Sequence, residues 1–505
     1  MSQAKEEPEP IGSINLAQLT QEQANRIYDQ GREAVVKILC ELSKQVIVHQ
    51  SQIGQLQEEV RRLKEQIAKD SHNSSKPPSS DEFQKPSVHS LRPPSERKTG
   101  GQEGHQGNTL KMVDKPDKII IHRVDKCQKC GSELANKETL GIEKRQVFDI
   151  PPIKLEVTEH QAQIKMCPNC QDTSKAQFPE DVSAPAQYGL RLKSLWVYLM
   201  CYQLLPYERT CELLRDIFSC NVSEGTLANT TQSCSESLQP VLNQIKQEII
   251  KSPVVNFDET GACVNGKRQW MHVASTARLT HYQIHPKRGS EAMNENGILN
   301  GYKGRSIHDF WKPYFKFSCT HGLCNAHHLR ELTFLYEEQG QQWAKDMIEC
   351  LVGIKKAVDQ AKSLKLSSLS AEKINEFESR YDEILKRGYS QNPLAQEALA
   401  QKKRGKQKQS KARNLLRRLD EHAKEVLAFM YDFDVPFDNN QAERDIRMVK
   451  VHNKISGTFR SYNGAQIFCN IRSYISTARK NTVNIIEAIH NVFTGAPFVP
   501  MTSGP

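Results

Sequence analysis

No stretch of 18 or more apolar residues occurs in the 505-residue chain, which excludes an ordinary membrane-spanning helix. Nor does the acidic opening MSQAKEEPEP read as a signal peptide. Both absences point to a reducing, cytoplasmic setting without a membrane partner, where disulfides are not expected. Acids are the scarcer charge: 59 Asp and Glu stand against 69 Lys and Arg, for a formal net charge of +10. Such a balance favours an anionic partner, nucleic acid first, although a merely soluble basic protein would look the same.

With disulfides set aside, the 14 cysteines need another account. Ten are scattered singly, mostly in apolar surroundings, and are expected as small core residues. The other four form CQKC, with Cys127 and Cys130, and CPNC, with Cys167 and Cys170, 36 residues apart. Each pair is a tight knuckle able to present two thiolates to one tetrahedral Zn²⁺, so the spacing predicts a zinc ribbon. A redox motif would not explain two pairs. The intervening TLGIEKRQVFDIPPIKLEVTEHQAQIKM alternates as β-strands do.

Upstream, Val35, Leu39, Leu42, Val46, Ile53, Leu56, Val60, Leu63 and Ile67 keep heptad spacing once His49 takes one seam position. That pattern predicts a coiled coil that pairs subunits; a single amphipathic helix packed on its own protein would share it. NSSKPPSSDEF and LRPPSERKTGGQEGHQG follow, too rich in Ser, Pro and Gly to bury a core. Lys76, Arg92, Arg97 and Lys98 there could track phosphates or belong to a plain spacer. Helical spacing returns between about Tyr188 and Ile250. A helix ending at Phe218, then Ser223 as an N-cap, fits either a helix-turn-helix or a simple helical hairpin.

PVVNFDETGACVNG reads as a buried strand, Val254 to Phe257, delivering Asp258 at its mouth. Further strands follow in QWMHVAST, LTHYQIH and GRSIHDFW, the last ending in Asp309; FSCTHGLCNAHHLREL gives a fifth strand and a helix. This is an α/β pattern with acids at strand ends. Far downstream, FDNNQAERDIRMVK opens with turn chemistry and enters a charged helix. Glu443 and Arg447 there, four residues apart, share a face. Two strand-end aspartates with a helical glutamate suit two hard divalent ions, Mg²⁺ above all, placed for in-line phosphoryl transfer. Glu259 should face away from Asp258 by alternation, and Asp438, a rival for the third acid, reads instead as part of a helix cap. The interval between Asp309 and Glu443 is too long for one loop and predicts a helical insertion. Within it, QKKRGKQKQSKARNLLRRL is either a DNA-facing arm or a solvated loop.

Beyond these readings, NSSKPPSSD, RKTGGQEGHQG, the paired CxxC, VSEGTL, NFDETG, the KRG at Lys287 to Gly289, HDFWKPYF, LCNAHHLREL, DNNQAERDIR, KISGTFRS and IRSYISTARK resemble, in that order, the DDE transposases of the insertion-sequence-66 family. The resemblance runs over nearly the whole chain. It implies that Asp258, Asp309 and Glu443 are the catalytic acids holding Mg²⁺ or Mn²⁺. Water would cut the element end, and the freed 3′-hydroxyl would attack target DNA without a covalent protein–DNA intermediate. One departure is Asn325, where other members carry a tryptophan; His327 and Arg330 are present. With Arg444, Arg447, Lys450 and Lys454 they are the candidate DNA contacts. The implied partners are double-stranded DNA, further copies of the chain and small companion proteins, in a prokaryotic, nucleoid-associated setting.

The expected fold class is multidomain α+β: an RNase-H-like α/β catalytic domain with a large helical insertion, preceded by coiled coil, ribbon and helical region. Expected boundaries are a disordered tail 1–20, coiled coil 21–70, linker 71–115, ribbon 116–180 and helical DNA-binding region 181–250. The catalytic parts are 251–338 and 434–490, separated by the insertion 339–433 and followed by a tail 491–505. A metal-dependent nuclease would share the acids, and a non-catalytic DNA-binding regulator would keep coiled coil and ribbon without using them.

Overall fold

The computed structural model describes residues 19–70, 73–74, 110–394 and 409–500. Most of the N-terminal tail and linker, with Lys76, Arg92, Arg97 and Lys98, and part of the basic run 401–419 lie outside the described residues. The chain forms two compact units: residues 1–88, 327–352 and 377–417, and residues 89–326, 353–376 and 418–505.

The first unit is helical. Helix Gln21–Asp29 begins with a reciprocal capping box between Thr20 and Gln23. Gly31, at φ +99°, then turns the chain into the 36-residue helix Arg32–Ile67. Ile27 and Ile38 are buried where the two helices meet. Beyond that contact Leu39, Val46, Ile53, Leu56, Val60, Leu63 and Ile67 are 47–83% exposed, so the heptad face is left open. Near the end of this helix Glu65 is buried, accepting from Arg61, Gln339 (3.0 Å) and Lys411. Between Asp309 and Glu443 the chain forms helices Gln342–Ser363, Ala371–Gln391 and Lys411–Glu421, shared between the two units. Gly388 permits close packing of the last two, since a Cβ there would lie 2.4 Å from Leu416 Cδ2.

In the second unit the ribbon region holds two short strands, β1 (Ile164–Met166) and β2 (Thr173–Lys175), paired antiparallel around the second knuckle. The alternating segment before them forms no further strand, and its side chains are almost all exposed. Alternation alone supplied no neighbouring strand to satisfy the backbone.

The helical region follows the expected punctuation. Helix Tyr207–Phe218 ends at Ser219 in the left-handed conformation, φ 52°. Ser223 Oγ then accepts from the Thr226 amide at 3.2 Å to cap helix Glu224–Ser237. The second helix exposes Glu224, Asn229, Gln232, Ser233 and Glu236 and offers no Lys or Arg on that face. Its inner face, Leu227 and Cys234, joins Trp196, Leu214, Ile245 and Ile249 in a fully buried core, each large apolar side chain contributing about 1.5–3 kcal/mol.

Five strands form the main sheet in the order β5-β4-β3-β6-β7. They are β3 (Val254–Val264), β4 (Lys267–Ser275), β5 (Thr280–His285), β6 (Arg305–His308) and β7 (Thr320–Leu323). β3, β4 and β5 form an antiparallel meander, whereas β6 and β7 run parallel to β3. The β3–β4 hairpin turns on Asn265-Gly266, both at positive φ, as a two-residue turn of this twist requires. Asp258 is therefore not at a strand mouth as expected. β3 runs on six residues past it because β4 pairs along the whole strand, while the parallel pairing with β6 stops at Asn256.

Helix Asn440–Ile455 covers one face of β3 and β4, packing Ala442, Ile446 and Val449 against Ala262, Val264, Met271 and Val273. Helix Tyr462–Lys480 lies along β5, and its Ser473 and Thr477 hydroxyls accept from the Tyr282 (2.8 Å) and Thr280 (3.1 Å) amides. Residues 491–505 are not simply a tail. Helix Ile485–Phe493 reaches into them, and the Phe498 amide donates to Tyr474 Oη at 2.9 Å. Of the ten scattered cysteines most are buried, but Cys40 is exposed on the long N-terminal helix.

Candidate active site

The second unit holds Asp258, Asp309 and Glu443, and the charges of Asp309 and Glu443 act on Asp258, although among the described residues the three carboxylates do not all come within 4.8 Å of one another. Asp258 lies on β3, on the alternating face that carries Ala262 and Val264 toward helix Asn440–Ile455. Asp309 directly follows β6, and Glu443 sits in the first turn of that helix. Burial, then the charges of Glu259, Glu443 and Asp309, push the Asp258 carboxyl well above the usual carboxylate range. Asp258 thus lies within the electrostatic reach of both other acids. A desolvated carboxyl beside other acids, as Asp258 is, resists ionisation unless a cation joins it. The donor set is all oxygen, which fits a hard divalent ion.

A buried amide fixes the start of the Glu443 helix. Asn439, 2% exposed, accepts from Asn256 Nδ2 at 2.8 Å and donates to the Phe257 carbonyl at 2.7 Å. Both partners lie immediately before Asp258, so one side chain sets the helix against the strand. Its backbone amide also donates to Cys324 Sγ at 3.1 Å. Asp438 takes the local role read from the sequence: its Oδ1 accepts from the Asn440 amide at 3.0 Å. Asn439→Ala would leave Asn256 Nδ2 and the Phe257 carbonyl without this partner. At about 1–3 kcal/mol per orphaned group, urea unfolding should show a loss of about 2–4 kcal/mol.

A second anchor, which sequence reasoning missed, lies two residues beyond Glu443. Asp445 Oδ2 pairs with Lys480 Nζ at 2.6 Å and accepts from Ser275 Oγ at 2.6 Å and Gln441 Nε2 at 3.2 Å. Lys480 also donates to the Thr276 and Leu279 carbonyls, at 2.8 and 3.0 Å. Burial pulls the Lys480 ammonium below its usual value, and Asp445 opposes that pull. Both residues stand in motifs quoted above, IRSYISTARK and DNNQAERDIR, but only tertiary structure pairs them.

Glu259 points away from Asp258, as alternation predicts. It is nevertheless buried, with its carboxylate held by Arg288 Nε and Nη2 (2.9 and 2.7 Å) and by Tyr314 Oη (2.6 Å). Burial raises its pKa first and the Asp309 charge second.

Arg444, Arg447, Lys450 and Lys454 are all exposed on the Glu443 helix, and 100° steps put them with Glu443 on one side. The same edge continues into the hairpin. Phe459 pairs with the end of β3, its carbonyl accepting from the Asn265 amide at 2.8 Å, and Lys267, Arg268 and Arg460 are exposed there. His327 and Arg330 lie on helix Asn325–Gln339. The departing residue Asn325 is buried at its start, donating from Nδ2 to the Val426 carbonyl at 2.9 Å.

The ribbon cysteines form two like knuckles. Cys127 and Cys167 each donate their amide to the carbonyl five residues on, Ser132 and Asp172, and each accepts from the amide four residues on. The Ser132 hydroxyl, 3.2 Å from Cys130 Sγ, is the first cause that brings that thiol down to about 7, and Cys127 contributes. Hydrogen bonds from the Cys170 and Asn169 amides lower Cys167 likewise. Thiols so poised suit zinc. Among the described residues, no three of these four sulfurs come within 4.8 Å of one another, so each pair converges locally without the two pairs meeting.

A mixed sheet carrying Asp258, followed by Asp309 and a helix with Glu443, downstream of two thiol knuckles, defines a multidomain α+β protein. The Transposase IS66 family model matches residues 185–467. That is more than half of the chain, which therefore belongs to the IS66 transposase family. The zinc-finger binding domain of transposase IS66 matches residues 125–171, a span that holds all four knuckle cysteines. Residues 20–111 match a family of unknown function. No curated protein matches the chain. Among the described residues no helix is long and apolar enough to cross a membrane.

Proposed function

We propose that this chain is a DDE-type transposase that cuts and joins DNA strands at the ends of its own element. The observation that carries the reading is the placement of Asp258, Asp309 and Glu443 on strand, strand end and helix of one unit, with the charges of Asp309 and Glu443 acting on Asp258. Three antiparallel strands followed by two parallel ones support the RNase-H-like reading of that unit. Asp258, Asp309 and Glu443 would hold Mg²⁺ or Mn²⁺. Such ions, when bound, activate water and stabilise charge on the attacking and leaving oxygens. The chain's own part is to fix the three acids, through the Asn439 amide and the Asp445–Lys480 pair, and to hold the phosphodiester in line. Cys127, Cys130, Cys167 and Cys170 would share one Zn²⁺ once the knuckles close on it, ordering the ribbon.

DNA would lie along the basic side of the Glu443 helix. From Glu443 to Lys454 is about 16 Å at 1.5 Å per residue, about five phosphate steps of one strand. Replacing Arg447 and Lys454 together with alanine should lower the slope of log affinity against log salt by about 2. Fluorescence anisotropy on duplex DNA between 50 and 200 mM salt would measure this, and an unchanged slope would take the helix out of the DNA path. The open heptad face of helix Arg32–Ile67 fits a second copy of the chain, since apolar seam residues left in water gain by pairing.

Purified protein incubated with Mg²⁺ and duplexes carrying the sequences that flank its gene tests the reading. Joined strands require a transposase. Cleavage without joining favours a nuclease, and DNA binding without either favours a regulator.

A further inference from the structure

Glu259 is the residue directly after Asp258, yet its side chain lies on the opposite face of β3 with Phe257 and Tyr314. A buried carboxylate there, 1% exposed, needs partners, and the two it has lead to either side of Asp309. Arg288 grips Oε1 with two nitrogens. Its guanidinium lies 4.1 Å from the Trp311 ring centroid and 5.1 Å from that of Trp270. Trp311 belongs to the Asp309 turn, because its amide donates to Asp309 Oδ1 at 3.0 Å. On the other side, Tyr314 Oη donates to Glu259 Oε2 and its ring stacks on His308 at 4.4 Å and 14°. His308 and Trp311, which bracket Asp309, are thus each tied back to the residue beside Asp258.

We infer that Arg288 is a positioning residue for the acidic centre, acting through Glu259 and Trp311 to hold the Asp258 strand and the Asp309 turn in one register. The inference rests on the metal-binding reading of those acids. An arginine suits this position because its planar fork meets one carboxylate while its face stacks on indoles, and lysine reproduces neither geometry. Groups that orient metal ligands from behind typically change affinity 10–100-fold when removed.

Mn²⁺ binding to the full-length protein, followed by the electron paramagnetic resonance of free Mn²⁺, tests this without relying on catalysis. Asp258→Asn, Arg288→Gln, Arg288→Lys and Tyr314→Phe would be compared with wild type, with folding checked by far-UV circular dichroism. Asp258→Asn should lose the site. Arg288→Gln should weaken it about 10-fold, Arg288→Lys should fail to restore it, and Tyr314→Phe should weaken it less. If Asp258→Asn loses the ion while both Arg288 variants bind as wild type does, the positioning role is wrong and the acidic centre stands. Should Asp258→Asn bind as tightly as wild type, the metal reading itself falls, and this inference with it.

Discussion

Replacing Glu443 with glutamine is expected to abolish strand cutting while leaving DNA-end binding intact. Glutamine keeps the volume and one carbonyl oxygen, so the first turn of helix Asn440–Ile455 should still form on the Asn439 amide and the Asp438 turn. What disappears is a carboxylate whose charge helps raise the Asp258 carboxyl. An all-oxygen site holds a divalent ion largely through such charge. A fall of at least about a thousandfold in single-turnover cleavage, about 4 kcal/mol of barrier, is the expected size. The matched control is Asp438→Asn, because asparagine retains the oxygen that accepts from the Asn440 amide. Cleavage by Glu443→Gln at near the wild-type rate would remove this residue from the chemistry.

Lys480→Met should cost stability instead. The ammonium lies among Asp445, Ser275 and two backbone carbonyls, and methionine supplies none of those donors. Removing one partner of a buried pair leaves the other charge uncompensated, typically at about 3–5 kcal/mol. Chemical denaturation should show that loss, and a double variant with Asp445→Leu should lose less than the sum of the singles. A drop below about 1 kcal/mol would mean that solvent reaches Asp445 more freely than its packing indicates. This pair joins the helix of Glu443 to helix Tyr462–Lys480, and through Ser275 to the end of β4, so cutting should also fall below what the unfolded fraction explains.

The sequence carried much of the site but little of what holds it. Strand alternation separated Asp258 from Glu259 because a pleat has a strict period of two. The break between Phe218 and Ser223 was readable because capping is local. Asn439, Arg288 and Lys480 were not readable as positioning groups, since their partners lie 183, 29 and 35 residues away. The length of β3 was misjudged for a related reason: how far a strand runs depends on the neighbour that pairs with it, here β4. In the ribbon the difference is opposite: of the alternating pattern only Ile164–Met166, at its end, finds a partner strand among the described residues.

The hydroxyls of Ser473 and Thr477 on the outer side of β5 have a consequence for assembly. An edge strand whose amides are already engaged cannot template another strand, so the sheet is closed on that side to β-augmentation and to strand exchange between copies. At the other margin the short helices Ala423–Val426 and Ala428–Tyr431 pack on β7. Any complex between copies would therefore have to form through side-chain surfaces and helices. Enlarging the sheet across copies is not open on those sides, and that guards the unit holding the candidate acids against aggregation through its strand edges.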